Sequence, residues 1–413
     1  MPWLLEEDSQ LALWPTRATM LAGQQNIAHQ LLTDLATPSG FLASTLDEDN
    51  YKRIWSRDSM VCGLASLITK DAKHLEAFKA SLLTLAEHQS AAGMIPSNID
   101  PRSGEVSFGS LAGRIDAHTW FVLGACLYYK HTGDEATWKE LEPKVLKTRE
   151  YLVNLEFNNK GWIYTPLSGN WADEYPVHGY TLYDNLLRMF TEKALSDLGH
   201  EIVFDIDRKT RLNFWPEATN LEKGYHKAGF QDALDKGVEN FAAFLLPGYY
   251  DLRFDAGGNA LALLYWRLSA AQKDAIRARV SSFKSETGAA LIPAFWPVIT
   301  EDSYDWNLLK TNYSYSFKNH PGDFHNGGVW PVWMGLFTLG LAAQGQTDLV
   351  EQIVTAFETE IATKPNWAYQ EYYNPISKTL GGKTQMGYSA SGVIFMQEAL
   401  RMIQAEQTST LFD

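Results

Sequence analysis

Apolar residues recur three or four positions apart along most of the chain, which is the spacing of an amphipathic or buried helix. The pattern predicts eleven helices, over residues 18–36, 57–69, 73–90, 116–131, 135–154, 180–197, 257–267, 270–283, 328–343, 347–363 and 388–403. No strand-rich domain is predicted. Residues 199–250 fit neither period, so a further helix, a lid and a small β excursion such as Glu201 to Phe204 all stay open there.

The connections between these helices alternate in length. Short links follow Ile68, Lys130, Arg267 and Ala343, and long ones precede Arg57, Asp116, Tyr180, Gly328 and Tyr388. Helical hairpins with short turns on one side place every long loop on the other side. We therefore expect an all-α fold, a toroid of helical hairpins with its long loops on one face. Neither a solenoid repeat nor a linker is found, so residues 1–413 are expected to form a single catalytic domain.

Charge and composition narrow the class of protein. The net charge of -14 opposes phosphate backbones and anionic membranes, so neither nucleic acid nor a membrane is expected as a partner. Residues 1–8 lack the features of a signal peptide, and no apolar run is long enough to span a bilayer, so a cytoplasmic location is predicted. Cys62 and Cys126 fall within apolar helical patterns and are expected to be buried thiols.

Aromatic and acidic residues are concentrated in the long loops. The chain has 14 Trp, 19 Tyr and 20 Phe, and sugar rings stack on such faces. Acids in or beside long loops are Asp49, Asp58, Asp100, Asp116, Asp173, Glu174, Asp302, Asp305, Asp323 and Glu371. Glycoside cleavage needs two carboxyl groups, one protonated and one ionised. Dinucleotide, Walker, zincin and nucleophile-elbow motifs are absent, and the segment from His320 to His325 lacks defined ligand geometry, so we expect neither cofactor nor metal.

Several segments resemble, in this order, the alkaline/neutral invertases and, more loosely, the glucosidase domain of glycogen-debranching enzymes. They are Ile54-Trp55-Ser56-Arg57-Asp58, the stretch from Gly113 to Phe121, Trp171-Ala172-Asp173-Glu174 followed by His178-Gly179-Tyr180, the stretch from Phe324 to Pro331, and Glu371-Tyr372-Tyr373-Asn374 with Leu380 to Gln385 and Tyr388-Ser389. The ordered set is more specific than any one segment, and it spans about residues 50 to 400.

The resemblance implies an (α/α)6 barrel and an inverting glycoside hydrolase that cleaves a small α-glucoside. It also implies that Asp116 is the general acid and Glu371 the general base. Inversion needs the two carboxyl groups roughly 6.5–9.5 Å apart, whereas retention needs about 5–5.5 Å. The chain has Ala172 to Val177 where invertases carry an Asp-Arg-Arg type sequence, so specificity for sucrose stays open.

The predicted substrate-binding residues are Trp55, Arg57, Asp58, Trp120, Trp171, Asp173, His178, His325, Asn326, Trp330, Tyr372, Lys383, Gln385 and Tyr388. Arg57 offers forked donors to vicinal hydroxyls or to Asp58. The indole rings and Tyr372 are stacking candidates, although core packing explains Trp120 equally well. His178 suits a purely structural hydrogen bond, whereas His325 is favoured as a ligand to a sugar hydroxyl.

Two other functions stay open beside hydrolysis. A sugar epimerase of the kind related to N-acylglucosamine epimerases shares the α/α barrel but needs a pair of histidines, and a non-catalytic carbohydrate-binding barrel needs no turnover. Among substrates we rank sucrose-like disaccharides first, glucosides such as glucosylglycerate second, and α-1,6 branches third. The expected partner is a small carbohydrate, and a homo-oligomer is possible.

Overall fold

The computed structural model describes residues 26–110 and 112–413. The described part of the first helix, α1, covers residues 26–35. The other helices are Ser56–Thr69 (α2), Ala72–Glu87 (α3), Ile115–Thr132 (α4), Glu135–Val153 (α5), Leu182–Asp197 (α6), Asp207–Phe214 (α7), Lys227–Lys236 (α8), Ala256–Tyr265 (α9), Ala270–Thr287 (α10), Trp306–Lys310 (α11), Pro331–Ala343 (α12), Thr347–Phe357 (α13) and Gly387–Gln404 (α14). A 3₁₀ helix covers Ala218–Lys223 and a π-helical turn covers Glu358–Ala362.

Side-chain and glycine caps define the ends of several helices. Asp71 begins α3, because its carboxylate accepts the backbone N–H groups of Lys73 and His74. A capping box of Ser269 and Gln272 begins α10. At the other end of a helix, α4 stops at Gly133, whose φ of 68° is left-handed. These local signals explain why the helix pattern in the sequence predicts most of the boundaries well.

Six helices contact one another in cyclic order: α2 packs on α4, α4 on α6, α6 on α9, α9 on α12, α12 on α14, and α14 on α2. The helices that follow three of them pack outside this ring, α3 on α2, α5 on α4 and α13 on α12. The ring holds the core, since every residue of α12 is buried. The prediction of a mainly helical fold is therefore confirmed.

The strands are short and lie mostly in the long connections. They are Ala36–Thr37 (β1), Gly40–Phe41 (β2), Ile54–Trp55 (β3), Asn98–Ile99 (β4), Val106–Ser107 (β5), Tyr180–Thr181 (β6), Phe244–Leu246 (β7), Tyr249–Asp251 (β8), Phe254–Asp255 (β9), Phe295–Trp296 (β10), Tyr372–Asn374 (β11) and Thr379–Gly381 (β12). All pairings are antiparallel, in the sheets β1–β2, β3–β4–β5, β6–β7–β8, β9–β10 and β11–β12. Because β3, β6 and β9 directly precede α2, α6 and α9, these sheets gather at the N-terminal ends of the inner helices.

Several predicted boundaries need correction. The helix expected from residue 180 begins at Leu182, because Tyr180 and Thr181 pair with β7. The helix expected from residue 328 begins at Pro331, and the one expected over 347–363 ends as an α-helix at Phe357. Residues 18–25 of the first predicted helix lie outside the described residues.

The undecided stretch from 199 to 250 contains α7, the 3₁₀ helix, α8 and the β7–β8 hairpin. The β excursion suggested for Glu201 to Phe204 is wrong, since these residues form no strand. Ile202 and Val203 are each 53% exposed, so this apolar pair finds no partner that would fix an extended strand. Elsewhere both cysteines are buried free thiols, as predicted. Within residues 26–110 and 112–413, no helix combines the length and apolar character needed to cross a bilayer.

Candidate active site

A cavity of about 410 Å³ opens where the long loops meet the N-terminal ends of the inner helices. Helix α2 contributes its first turn, and α14 contributes its second residue. Nine of the sixteen predicted site residues line it, namely Trp55, Arg57, Asp58, Trp171, Asp173, His325, Trp330, Glu371 and Tyr388. Residues from four separate motifs are thus brought together by the fold.

Glu371 stands in the cavity wall, just before β11. Its Oε1 accepts the hydroxyl proton of Tyr51 at 2.7 Å, and its Oε2 accepts the backbone N–H of Lys383 at 2.8 Å. Burial raises the pKa of Glu371, and these two hydrogen bonds act in the opposite direction. Gly382 makes the close approach possible, since a Cβ there would lie 2.4 Å from Oε2. The carboxylate is therefore held at both oxygens while it borders the cavity.

Asp116 lies below the cavity, and its residue is 1% exposed. It does not line the cavity. Its Oδ2 accepts hydrogen bonds from Arg57 Nη1 at 3.1 Å and from the hydroxyl of Tyr183 at 3.2 Å. Arg57 also lies 3.6 Å from the carboxylate of Asp58, and its guanidinium sits 5.7 Å from the centre of the Tyr388 ring. Asp116 thus anchors a cavity-lining arginine from beneath.

A second pair of carboxylates, Asp173 and Glu174, lines the cavity on the loop before β6. Asp173 is bound at Oδ2 by Arg114 Nη2 at 2.7 Å, and its side chain is 30% exposed. Glu174 is more enclosed: its Oε1 accepts the backbone N–H of Ser314 at 3.2 Å, and burial raises its pKa. Of the two, Asp173 presents more of its carboxylate to a ligand.

The loop that carries Asp173 is fixed by a buried carboxylate. Asp184, in the first turn of α6, accepts hydrogen bonds at Oδ2 from Thr165 Oγ1 at 2.7 Å and from Asn170 Nδ2 at 3.0 Å. Asn170 in turn accepts the backbone N–H of Ala172 at 3.0 Å. Burial raises the pKa of Asp184 to about 7. The residues just before Asp173 are therefore tied to the start of an inner helix.

Aromatic rings form one wall of the cavity. His325 stacks on Trp330 with 5.5 Å between ring centres, and Trp171 meets Trp330 edge to face at 5.6 Å. Burial lowers the pKa of His325 well below its usual value, so its ring is neutral. A flat, neutral aromatic surface beside carboxylates is the environment that a sugar ring requires.

The remaining predicted site residues do not line the cavity. Trp120 is a core residue that donates its Nε1–H to Tyr183, and Asn326 is fully buried between Ile299 and Asn319. His178 packs against Phe244, Tyr372 packs behind Trp330, Lys383 pairs with Glu48 and Asp49, and Gln385 accepts the Thr45 hydroxyl. Each has a structural partner that the sequence pattern did not reveal.

Other residues line the cavity without having been predicted to bind substrate, among them Tyr51, Arg114, Glu174, Tyr315 and Lys318. Glu174 is one of the loop acids and Arg114 lies within a matched segment, so the sequence carries a weak indication that both belong to the site. Tyr51 and Lys318 carried none, because Tyr51 meets Glu371 from 320 positions away in the chain. His320 packs against Phe317, and no metal-ligand cluster involves it among the described residues.

A loop-lined cavity with carboxylates and an aromatic wall on a mainly helical fold is typical of a glycosidase. The comparisons with known proteins identify the relatives. Residues 218–402 match the sequence profile of the family described as alkaline and neutral invertase. Over these residues the chain is similar to this family, as its motifs predicted.

Two relatives from Arabidopsis thaliana illustrate the likeness. The chain is 21% identical to "Probable alkaline/neutral invertase A, chloroplastic", over 92% of this chain and 70% of that protein. It is 27% identical to "Alkaline/neutral invertase C, mitochondrial", over 43% of this chain and 26% of that protein.

Among solved structures, the mannosylglycerate hydrolase of family GH63 from Thermus thermophilus, in complex with glucose, superposes with a TM-score of 0.61 at 14% identity, over 90% of this chain and 99% of that chain. A structure described as wild-type glycosidase gives a TM-score of 0.58 at 13% identity, over 94% and 99%. At these identities the likeness concerns the fold alone.

Proposed function

We propose that this chain hydrolyses a small, uncharged α-glucoside of the sucrose type, with inversion, on an (α/α)6 barrel. The observation that carries the proposal is that Asp173 and Glu371 line the same cavity beside an aromatic wall. The cyclic packing of six inner helices with outer partners supports the barrel. The invertase relatives support the reaction class and the choice of an α-glucoside.

Glu371 keeps the role of general base. The hydroxyl of Tyr51 and the backbone N–H of Lys383 each occupy one lone pair of the carboxylate and leave others for a water molecule. Burial makes this carboxylate a stronger base than an exposed one. Water attacks the anomeric carbon and gives its proton to Glu371, while the glycosidic bond breaks on the opposite face.

The general acid is reassigned from Asp116 to Asp173. A general acid must come within hydrogen-bond distance of the leaving oxygen, and Asp116 is 1% exposed and does not line the cavity. Asp173 lines the cavity with a 30% exposed side chain that Arg114 orients. Asp173, protonated on the carboxyl oxygen that Arg114 does not bind, donates the proton to the leaving oxygen, and Asp116 holds Arg57 in place.

The charges around the cavity favour a neutral leaving group. Six acidic residues line it, Asp49, Asp58, Glu105, Asp173, Glu174 and Glu371, against four basic ones, Arg53, Arg57, Arg114 and Lys318. Each of the four cations already has a carboxylate within 4.0 Å. A carboxylate on the leaving group would find no unpaired cation among these residues, so sucrose ranks above glucosylglycerate and mannosylglycerate.

The histidine content of the cavity argues against an epimerase. Such an enzyme needs two histidines as acid and base, and His325 is the one histidine among the described cavity-lining residues. The single catalytic domain, the possible homo-oligomer, the small carbohydrate partner and the cytoplasmic location stay predictions.

Proton NMR of a sugar panel tests the proposal. Purified protein is incubated with sucrose, trehalose, isomaltose, maltose, glucosylglycerate and mannosylglycerate. We expect sucrose to be cleaved fastest and β-glucose to appear before mutarotation, since an α-linked glucose is inverted. First appearance of α-glucose would exclude inversion by direct attack of water, and with it the single-step role proposed for Glu371. Sucrose binding without turnover, measured by calorimetry, would instead support a non-catalytic barrel.

A further inference from the structure

Three side chains with metal-ligand chemistry meet where α1 approaches the start of α3, and none of them lines the cavity. One ligand-type atom from each of His29, Asp71 and His74 lies within 4.8 Å of the other two. Nε2 of His29 is 3.5 Å from Oδ2 of Asp71, and the two imidazole centroids are 4.4 Å apart. Two imidazoles and one carboxylate are a ligand set that zinc-type cations prefer.

The hydrogen bonds of His74 fix which ring nitrogen carries the proton. The hydroxyl of Thr33 donates to the carbonyl oxygen of His29 at 3.0 Å, and the same hydroxyl lies 2.9 Å from Nε2 of His74. A hydroxyl has a single proton, and when that proton goes to the carbonyl of His29, Nε2 of His74 donates to Thr33 and the lone pair is on Nδ1.

Nδ1 of His74 has no hydrogen-bond partner among the described residues, although the residue is 0% exposed. Buried polar atoms are normally partnered, so an unpartnered ring nitrogen on a histidine that shares a cluster with a carboxylate and a second imidazole needs an explanation. Histidines that bind metals characteristically donate their other ring N–H to a neighbouring oxygen. Thr33 performs that function for His74.

The other two side chains have room to adjust. The side chains of His29 and Asp71 are 38% and 32% exposed. Asp71 uses Oδ1 to accept the backbone N–H groups of Lys73 and His74, which leaves Oδ2 for a cation. Tetrahedral zinc would bring the three ligand atoms to about 3.3 Å from one another, which small side-chain rotations achieve. Solvent can supply the remaining ligand.

We propose that His29, Asp71 and His74 form a binding site for a zinc-type divalent cation, which ties α1 to the beginning of α3. No metal is expected from the sequence motifs. His29 lies far from the other two ligands along the chain, so no spacing motif marks the site. The site is separate from the cavity, and its test does not depend on catalytic activity.

Cobalt titration tests the site directly, because tetrahedral Co²⁺ absorbs in the visible range. Protein stripped with a chelator is titrated with Co²⁺ and then with Zn²⁺ as a competitor. We expect one equivalent to bind and Zn²⁺ to displace it. Zinc at a hundredfold excess over its Kd should raise the Tm by about 3 °C.

Two variants remove ligands without disturbing the buried histidine. His29→Ala removes a half-exposed ligand, and Asp71→Asn removes the charge while keeping a good N-cap for α3. Each should weaken cobalt binding at least tenfold and abolish the rise in Tm.

The matched control is His200→Ala. His200 also lies beside a carboxylate, that of Glu142 at 3.2 Å, but among the described residues no second imidazole joins this pair. The variant should bind cobalt like the wild type. Absence of the visible band in the wild-type protein, or wild-type affinity in His29→Ala, would overturn the proposal.

Discussion

The two carboxylates that the sequence predicted as a catalytic pair lie in the wall of the cavity and in the buried layer beneath it, which we call the floor. Glu371 stands in the wall, on a hairpin, with both oxygens held by neutral donors. Asp116 lies in the floor, in the first turn of α4, where it is bound by Arg57 and Tyr183. Both are buried, but only Glu371 borders the space that a substrate would occupy.

The difference follows from where each carboxylate sits on the fold. Asp58, Asp116 and Asp184 all occupy the first turn of an inner helix, where the positive end of the helix dipole favours a negative charge, although burial outweighs that effect on the pKa of Asp58 and Asp184. Asp173 and Glu371 are carried by loops at the same end of the ring. Acids at helix starts thus have a structural reason to be there, whereas the loop acids lack that reason and are better candidates for chemistry.

The largest effect should come from the wall. Glu371→Gln keeps the shape of the side chain and removes the base, so kcat on sucrose should fall about 1,000- to 10,000-fold. Steady-state kinetics measures the loss. The matched control is Glu360→Gln, because Glu360 also accepts a tyrosine hydroxyl, that of Tyr373 at 3.4 Å, but does not line the cavity. Equal activity of the two variants would remove Glu371 from the mechanism.

The next prediction distinguishes the role of Asp173 in the wall from that of Asp116 in the floor. Asp173→Asn should lower kcat/KM on sucrose about 100- to 1,000-fold, yet retain most activity on α-glucosyl fluoride, whose leaving group needs little protonation. Asp116→Asn should slow both substrates by a similar factor, because it frees Arg57 and removes no proton donor.

Glu174→Gln is the control for this test, since Glu174 is the neighbouring cavity acid. We expect it to reduce both activities less than Asp173→Asn reduces cleavage of sucrose. If α-glucosyl fluoride selectively restores the activity of Asp116→Asn, Asp116 is the general acid. If it selectively restores the activity of Glu174→Gln, Glu174 is the general acid.

The contrast also shows what the sequence can and cannot predict. Helices α4 and α5 were placed to within a residue, because their apolar spacing and caps are local properties. Helices α7 and α8 are not predicted from the sequence. Both are short and largely polar, and their stability depends on tertiary packing.

For the site, the motifs predicted which loops border the cavity, but they did not predict which side chains point into it. Trp120 and Asn326 belong to motifs that reach the cavity, yet both side chains are buried in protein. Tyr51 belongs to none of the motifs. It contacts Glu371 because the fold brings together parts of the chain that are 320 positions apart. Which residue of a motif touches the ligand is a property of tertiary packing.

A smaller effect should follow from displacing Glu371 without changing it. Gly382→Ala would place a Cβ 2.4 Å from Glu371 Oε2, at a φ of 77°. We expect kcat to fall about 30-fold, because a misplacement of about 1 Å is costly in catalysis. Gly133→Ala is the control, since its φ of 68° imposes a similar strain but its Cβ would meet nothing within 4 Å. Equal losses of activity in both variants would indicate backbone strain alone.

The smallest effect should be a shift in pH dependence. Tyr51→Phe removes a hydroxyl whose hydrogen bond to Glu371 lowers the pKa of that carboxyl group. Without that bond the pKa of Glu371 rises further, so the base stays protonated to higher pH and the acid limb of kcat/KM should move to higher pH. Tyr128→Phe, which removes a tyrosine hydrogen bond to Asp134 that lies outside the cavity, should leave the profile unchanged. An acid limb that stays in place in Tyr51→Phe would mean that the titrating group is not Glu371.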